Sequence, residues 1–251
     1  MKETGDIGKR LTELAERSYA EGRYTFTDFL DLAQLSVFVS MKKELSYAGA
    51  AAFGGTEGAE RCMVRFGNED ICGYDQPYPI DLLVITPAQA KFAEDLTHRD
   101  FLGSILGLGL ERSKIGDLFV RDGSCAAFVH SDVADYILDS LVTVRRTNVH
   151  TERAGAIPEG LAPRLEKELL NVPGTRVDAV IARCWHLPRE KAQALVREGR
   201  VFVNGQNILQ SGRELKPGDV VSVRGAGKFV FYGEKARTKK DRLSVEIGRY
   251  C

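Results

Sequence analysis

Residues 176–205 read "RVDAVIARCWHLPREKAQALVREGRVFVNG", two helical periodicities followed by an alternating run. Val177, Val180, Ile181 and Cys184 recur at i, i+3, i+4 and i+7, which places them on one face of a helix. Arg176 and Arg183 share a different side of it. A second helix is expected over "PREKAQALVREG", with Pro188 suited to its first turn and Gly199 to its C-terminal cap. Ala192, Leu195 and Val196 face inward there, while Arg189, Gln193 and Arg197 form a polar stripe at spacing four. "RVFVNGQNI" reads as a strand entering a tight Asn204-Gly205 turn. "LKPGDVVSVRG" reads as a turn and strand, and "KFVFYG" and "RLSVEIG" as two further strands bracketing "EKARTKKD".

This module is basic within a chain that is not. The 251 residues carry formal net charge 0. Residues 1–175 hold 19 Lys+Arg against 27 Asp+Glu, a net of −8, while residues 176–251 hold 16 against 8, a net of +8. A basic C-terminal module on an acidic body points to a polyanion-binding end. Guanidinium groups grip phosphates bidentately, and a fixed helix pair sets their spacing. Arg176, Arg183, Arg189, Lys191, Arg197 and Arg200 are the candidates on the helices; Lys235, Arg237, Lys239, Lys240 and Arg242 form a tail cluster. Asp178 is expected to orient Arg176 or to cap the first helix.

Other chemistries find little footing. The five cysteines (Cys62, Cys72, Cys125, Cys184, Cys251) are widely spaced with no C-x-x-C pair, so neither a disulfide framework nor a zinc site is expected. The four histidines are scattered, and no metal or cofactor is expected. Asp81, Asp100, Asp117 and Asp122 stand at no catalytic spacing. In "LGLGLERSKIG" the glycines follow a helix instead of preceding one, so the segment reads as a helix-ending turn, not a phosphate loop. No apolar run has the length of a membrane span, and the first residues lack the apolar centre of a secretory signal; the expected location is cytoplasmic.

Upstream, residues 1–74 read as a mainly helical region. Ile7, Leu11, Leu14 and Ala15 share a helix face, and Thr27 or Asp28 is a candidate cap for a second helix presenting Phe29, Leu32, Ala33 and Ser36. "FGGTEGAERCMV" reads as a solvated loop with a local Glu57/Glu60–Arg61 ion pair, running into a strand at 61–66. Residues 75–152 then give strand "IDLLVITP", helix "HRDFLGSILGLGL", strands "IGDLFVRDG" and "SCAAFVHS" joined at Asp122-Gly123, a helix capped by Ser131 or Asp132, and strand "RRTNVHTE". This βαββαβ order is ferredoxin-like, the arrangement of RNA-recognition domains. Those domains stack bases on aromatics of their central strands, and Phe128 is the single aromatic here, so a scaffold or protein-contact role is favoured. Residues 153–174, rich in Pro and Gly, read as a linker to the 175–251 module. The fold class is therefore α+β and multi-domain.

The module resembles the S-four (alpha-L motif) RNA-binding domain, on Arg176, Asp178 and Val180, then Arg189, Ala192, Leu195, Val196, Gly199, Val201, Val203, Asn204 and Gly205, then Lys216 to Asp219. Pro188 departs from the Ser usual at its position. "FGGTEGAER", "HRDFLGSILGLGLERSKIGDLFV" and the three-part layout resemble the YlmH-like bacterial proteins. That resemblance implies a non-enzymatic, ribosome-associated RNA-binding factor. It implies contact with structured rRNA, with or without tRNA, on the large ribosomal subunit, in quality control of stalled translation. Asp178, Gly199, Asn204 and Gly205 take structural roles in the motif. A link to cell division accompanies the family name; separately, the acidic N-terminal body is a candidate contact for a protein partner. The alternatives are an RNA-modifying enzyme of pseudouridine-synthase type, since S-four domains also ride on such enzymes, and a cell-division adaptor.

Overall fold

The computed structural model describes residues 2–89, 94–237 and 242–250. The chain divides into two compact units, residues 1–162 and 163–251.

The first unit begins with helix α1 (Lys2–Glu21), strand β1 (Thr25–Phe26) and helix α2 (Leu32–Met41). Ile7, Leu11 and Ala15 are buried as their periodicity predicts. The cap of α2 lies further on than Thr27 or Asp28: Asp31 accepts from the Gln34 amide at 2.9 Å and the Gln34 side chain accepts from the Asp31 amide at 2.9 Å. This reciprocal capping box satisfies two orphan helix donors, which is why it outcompetes the earlier Thr and Asp. The shift changes the buried helical face to Leu35 and Phe38. Strands β2 (Ala51–Phe53) and β3 (Met63–Phe66) complete a small sheet of order β1-β3-β2 beside these helices. A short helix α3 (Glu69–Cys72) follows.

The ferredoxin-like part comprises β4 (Ile80–Pro87), α4 (His98–Gly107), β5 (Ile115–Arg121), β6 (Ser124–His130), α5 (Ser131–Ser140), β7 (Thr143–Val144) and β8 (Thr147–Ala154). Its antiparallel sheet runs β5-β6-β4-β8-β7. Asp122 and Gly123 both have positive φ (50° and 71°), the requirement of the tight hairpin read from the sequence. The cap of α5 is neither Ser131 nor Asp132 but His130, whose Nδ1 accepts from the Asp132 amide at 3.1 Å.

The sheet is buried on both faces. Leu83, Ile85, Cys125, Ala127 and Val129 pack beneath α4 and α5. On the other face Leu82, Val84, Ala126 and Phe128 pack against Phe29, Met63 and Leu161. The glycine loop after β2 lies on this second face. A Cβ on Gly55 would sit 2.3 Å from the Phe128 ring, and Gly55 has φ 93°. The expected Glu57/Glu60–Arg61 surface pair gives way to a staple. Arg61 donates to the carbonyls of Ile115 (2.8 Å), Phe29 (3.0 Å) and Arg112 (3.0 Å). Asp117 accepts from the backbone amides of Glu60 (2.7 Å) and Arg61 (3.1 Å). Burial lowers the pKa of Arg61, and burial together with the neighbouring Arg61 charge brings Arg112 down to about 10.

The second unit begins earlier than the basic module. Residues 153–174 were expected as a linker, yet 153 and 154 end β8, and β9 (Leu165–Val172) pairs along its length with β14 (Leu243–Tyr250). The segment hid its strand because only Leu170 and Val172 face the core. It is an edge strand whose charged residues meet solvent, followed by Pro173-Gly174. Helices α6 (Val177–Cys184) and α7 (Arg189–Arg197) pack on a sheet of order β11-β10-β12-β13-β14-β9, with β10 (Val201–Val203), β11 (Gln206–Asn207), β12 (Val220–Val223) and β13 (Gly227–Arg237). Their joint core includes Val177, Val180, Ile181, Cys184, Ala192, Leu195 and Val196, the inward sets read from the sequence.

Gly55→Ala is expected to destabilise the first unit by about 2 kcal/mol or more, through ring overlap and left-handed strain. Gly103→Ala, within α4 where an added Cβ meets nothing within 4 Å, is expected to stabilise by roughly 0.5–1 kcal/mol. Urea unfolding of the two variants beside the parent chain checks both signs.

Candidate nucleic-acid interface

The α6–α7 pair is organised by one carboxylate. Asp178, in the first turn of α6, has 0% side-chain exposure. It accepts from Arg176 Nε at 3.2 Å and Nη2 at 3.3 Å, from Arg189 Nε at 3.2 Å and from Gln193 Nε2 at 3.0 Å. Burial alone would raise its pKa; the bonds from Gln193, Arg189 and Arg176 outweigh that and hold it below the usual carboxylate range. The two arginines keep 44% and 47% of their side-chain surface exposed. Asp178 therefore fixes one edge of each guanidinium and leaves other donors facing outward. This is the orienting role expected of it, extended from Arg176 to Arg189 and Gln193.

Backbone geometry holds the assembly in place. The amide of Val177 donates to Arg213 O at 2.8 Å and that of Leu215 to Thr175 O at 2.9 Å, pinning the start of α6. Pro188 is the N-cap of α7 and contributes no side-chain cap bond. Gly199, just beyond the C-cap of α7, has φ 68° as a helix-terminating glycine should. Asn204 (φ 52°) and Gly205 (φ 76°) make the β10–β11 turn. Asn204 donates to Asp219 at 2.8 Å and accepts from the Val220 amide at 2.9 Å; Asp219 also accepts from the Lys216 amide at 2.9 Å. The Asn-Gly and Lys-Pro-Gly-Asp stretches are thus partners across two turns, which explains why both appear in one motif.

Beside the carboxylate a groove of about 560 Å³ is lined by Arg183, His186, Arg189 and Arg242, with Ala179, Ala182 and Leu187 among its apolar walls. Three of the arginines picked from sequence converge here, and Arg176 joins them through Asp178. Lys191 and Arg197 are exposed on α7. Arg200 lies past α7 and donates to Arg224 O at 2.7 Å. Lys235 pairs with Glu246 at 3.0 Å, and Arg237 is exposed at the end of β13. Lys239 and Lys240 lie outside the described residues. Two groove residues escaped the sequence reading, His186 and Asn171. His186 stands three after Arg183, the one signal that placed it on that side; Asn171 had none, because its strand was read as linker.

The ferredoxin-like sheet carries no comparable surface. Phe128, its one candidate stacking residue, is 4% exposed beneath the glycine loop. Among the described residues there is no grouping of His, Cys, Asp and Glu suited to a metal, and no helix is long and apolar enough to cross a membrane.

A two-helix, arginine-bearing motif on an antiparallel sheet defines the C-terminal unit as an S4 RNA-binding domain, and the S4 family model matches residues 175–221. The family model for an RNA-binding domain in YlmH matches residues 74–156. The chain is 29% identical over 229 residues, 90% of its own length and 88% of the relative's, to the "Ribosome-associated protein quality control protein P2" of Bacillus subtilis. It is 41% identical over 58 residues to the "Small ribosomal subunit protein uS4" of Dictyoglomus thermophilum, covering 23% of this chain and 28% of that protein. The solved structure of the "Cell division protein ylmH from Streptococcus pneumoniae" is 25% identical with a TM-score of 0.45, covering 61% of this chain and 90% of that one. The resemblance read from the sequence is borne out: a match to the YlmH RNA-binding domain precedes an S4 domain, and the chain is similar to a ribosome-associated relative along most of its length.

Asp178→Asn is expected to lower the urea midpoint and to flatten its acid dependence. The folded carboxyl titrates below its unfolded value of about 4, so its contribution is complete above that pH and is lost as pH falls through the folded pKa. Unfolding curves between pH 2 and 7 for parent and variant check this; equal slopes on the acid side would contradict it.

Proposed function

We propose that the chain is a non-catalytic, ribosome-associated RNA-binding factor that grips structured RNA on the large ribosomal subunit through its S4 domain. The observation that carries this is the pair Arg176 and Arg189, both oriented by the buried Asp178 and both half-exposed. Arg183 and Arg242 extend the cationic surface along the groove, and Lys191 and Arg197 continue it on α7. Gly199, Asn204 and Gly205 shape the turns that hold the helices on the sheet, and Arg200, Lys235 and Arg237 lie at its margins.

The printed name of the Bacillus subtilis relative supports work at ribosomes in quality control. By extension we assign this chain to ribosomal particles whose translation has stalled, in the cytosol, with rRNA and tRNA as the RNAs within reach. The acidic first unit acts as a scaffold and protein contact. Its ferredoxin-like sheet is occupied by its own N-terminal residues, which leaves no open face for base stacking. The cell-division wording attached to the Streptococcus relative makes a division partner one candidate for that contact.

With about six phosphates neutralised, log affinity for an rRNA hairpin is expected to fall against log salt with a slope on the order of −4 to −5. Arg176→Gln with Arg189→Gln, which removes both charges but keeps a donor for the buried Asp178, is expected to abolish co-sedimentation with large subunits while the unfolding midpoint shows a folded protein. A slope near zero, or unchanged sedimentation, would contradict the assignment. Formation of pseudouridine in rRNA by the pure chain would establish the enzymatic alternative instead.

A further inference from the structure

The sheet of the second unit has a face turned away from α6 and α7. Phe229, Phe231, Val245, Ile247, Leu170 and Val172 fill the core side. Strand alternation puts Lys228 and Val230, then Gly248 and Tyr250, then Leu165, Lys167 and Leu169 on the other side. Pairing sets them in rows: Val230 lies opposite Gly248, Gly248 opposite Lys167, and Tyr250 opposite Leu165. Tyr232 lies on this face too, since a Cβ at Gly248 would stand 2.9 Å from its ring.

Two tyrosines on this face each carry a lysine. Lys228 Nζ lies 4.1 Å from the Tyr250 ring centroid, and Lys167 Nζ lies 5.4 Å from that of Tyr232. Leu169 beside them is 63% exposed, far more than an edge strand needs for its own packing. Alternation turns Glu166 and Glu168 to the opposite side of β9, where Glu166 faces Arg249, and Glu246 on the tyrosine face is paired with Lys235 at 3.0 Å, which leaves Lys167 and Lys228 as a net positive charge there.

We propose that this face is a second RNA-contact surface, which stacks unpaired bases on Tyr232 and Tyr250 while Lys167 and Lys228 take the flanking phosphates. Each lysine lies over the face of its ring, so an incoming base takes the place of the ammonium on the ring and the displaced lysine meets the flanking phosphate; ring and cation together match the π-face and the negative charge of a single-stranded nucleotide. The net positive charge of the tyrosine side favours a polyanion over a protein partner. The proposal rests on the reading of the second unit as RNA-binding, but uses the side of the sheet that the Asp178 cluster does not reach. It gives the missed strand β9 a function, since that strand supplies Lys167.

The experiment uses the full chain with two labelled probes, a single-stranded oligouridylate and an rRNA hairpin. Tyr232→Leu with Tyr250→Leu is expected to weaken oligouridylate binding by roughly tenfold or more and to leave the salt slope for the hairpin unchanged. Tyr232→Phe with Tyr250→Phe, which keeps the rings, is expected to bind as the parent does. Lys167→Glu with Lys228→Glu, both near the surface, is expected to lose the same probe, which covers the case that the leucine pair folds poorly. Arg176→Gln with Arg189→Gln is expected to lose the hairpin and retain oligouridylate, so failure of the helix-face reading is distinguishable from failure of this one. Absence of oligouridylate binding by the parent, or parent-like affinity of both the leucine and the glutamate pairs, overturns the proposal. A ribonuclease-resistant protein complex lost in the lysine variant would reassign the face to a protein partner.

Discussion

A carboxylate without solvent exposure, placed between two half-exposed arginines, is the constraint on which the second unit turns. Asp178 is costly to bury, and three side chains offset that cost by donating to it. Those donors come from the residue that caps α6 and from the first two turns of α7, so satisfying the charge also sets the angle between the helices. The same bonds limit the rotamers of Arg176 and Arg189. A phosphate-binding surface made of free arginines loses side-chain entropy when RNA arrives; under the proposed function part of that loss is already taken on folding. Stability and recognition therefore share one group.

The first unit solves a different problem with similar means. A ferredoxin-like sheet has one face for its helices and one left open, and RNA-recognition domains use the open face for bases. In this chain Phe29, Met63 and Leu161 close it, and Gly55 allows the loop to come down onto Phe128. Arg61 fastens the closure by donating to three carbonyls from two separate segments, Phe29 and the Arg112–Ile115 stretch. Topology alone would have assigned base stacking to this sheet; its packing closes the face that would do it.

Legibility in the sequence followed the strength of the local signal. The α6 and α7 faces, the Asn204-Gly205 turn and the order of the ferredoxin-like elements were readable because each rests on periodicity or a positive-φ requirement within a few residues. Strand β9 was not, since an edge strand with Leu165 and Leu169 outward, Leu170 and Val172 inward, and charges between shows no clean alternation. The cap at Asp31 was hidden among several acidic and hydroxyl residues, and the Asp31–Gln34 spacing was the clue that discriminated. Arg61 looked like a loop ion pair because its true partners are carbonyls from Phe29, Arg112 and Ile115, distant in sequence. At the site, the arginines were legible from charge and spacing, whereas their convergence with Arg242 and Asn171 on one groove depends on how β9 and β14 close the sheet.

The most direct test is the structure of the full chain bound to its ribosomal particle by electron cryomicroscopy. The account predicts phosphate oxygens within hydrogen-bond distance of Arg176 and Arg189, with Asp178 still bonded to both and the groove of Arg183 and Arg242 facing the RNA. An RNA contact made by the ferredoxin-like unit, with the α6–α7 face turned to solvent, would contradict it.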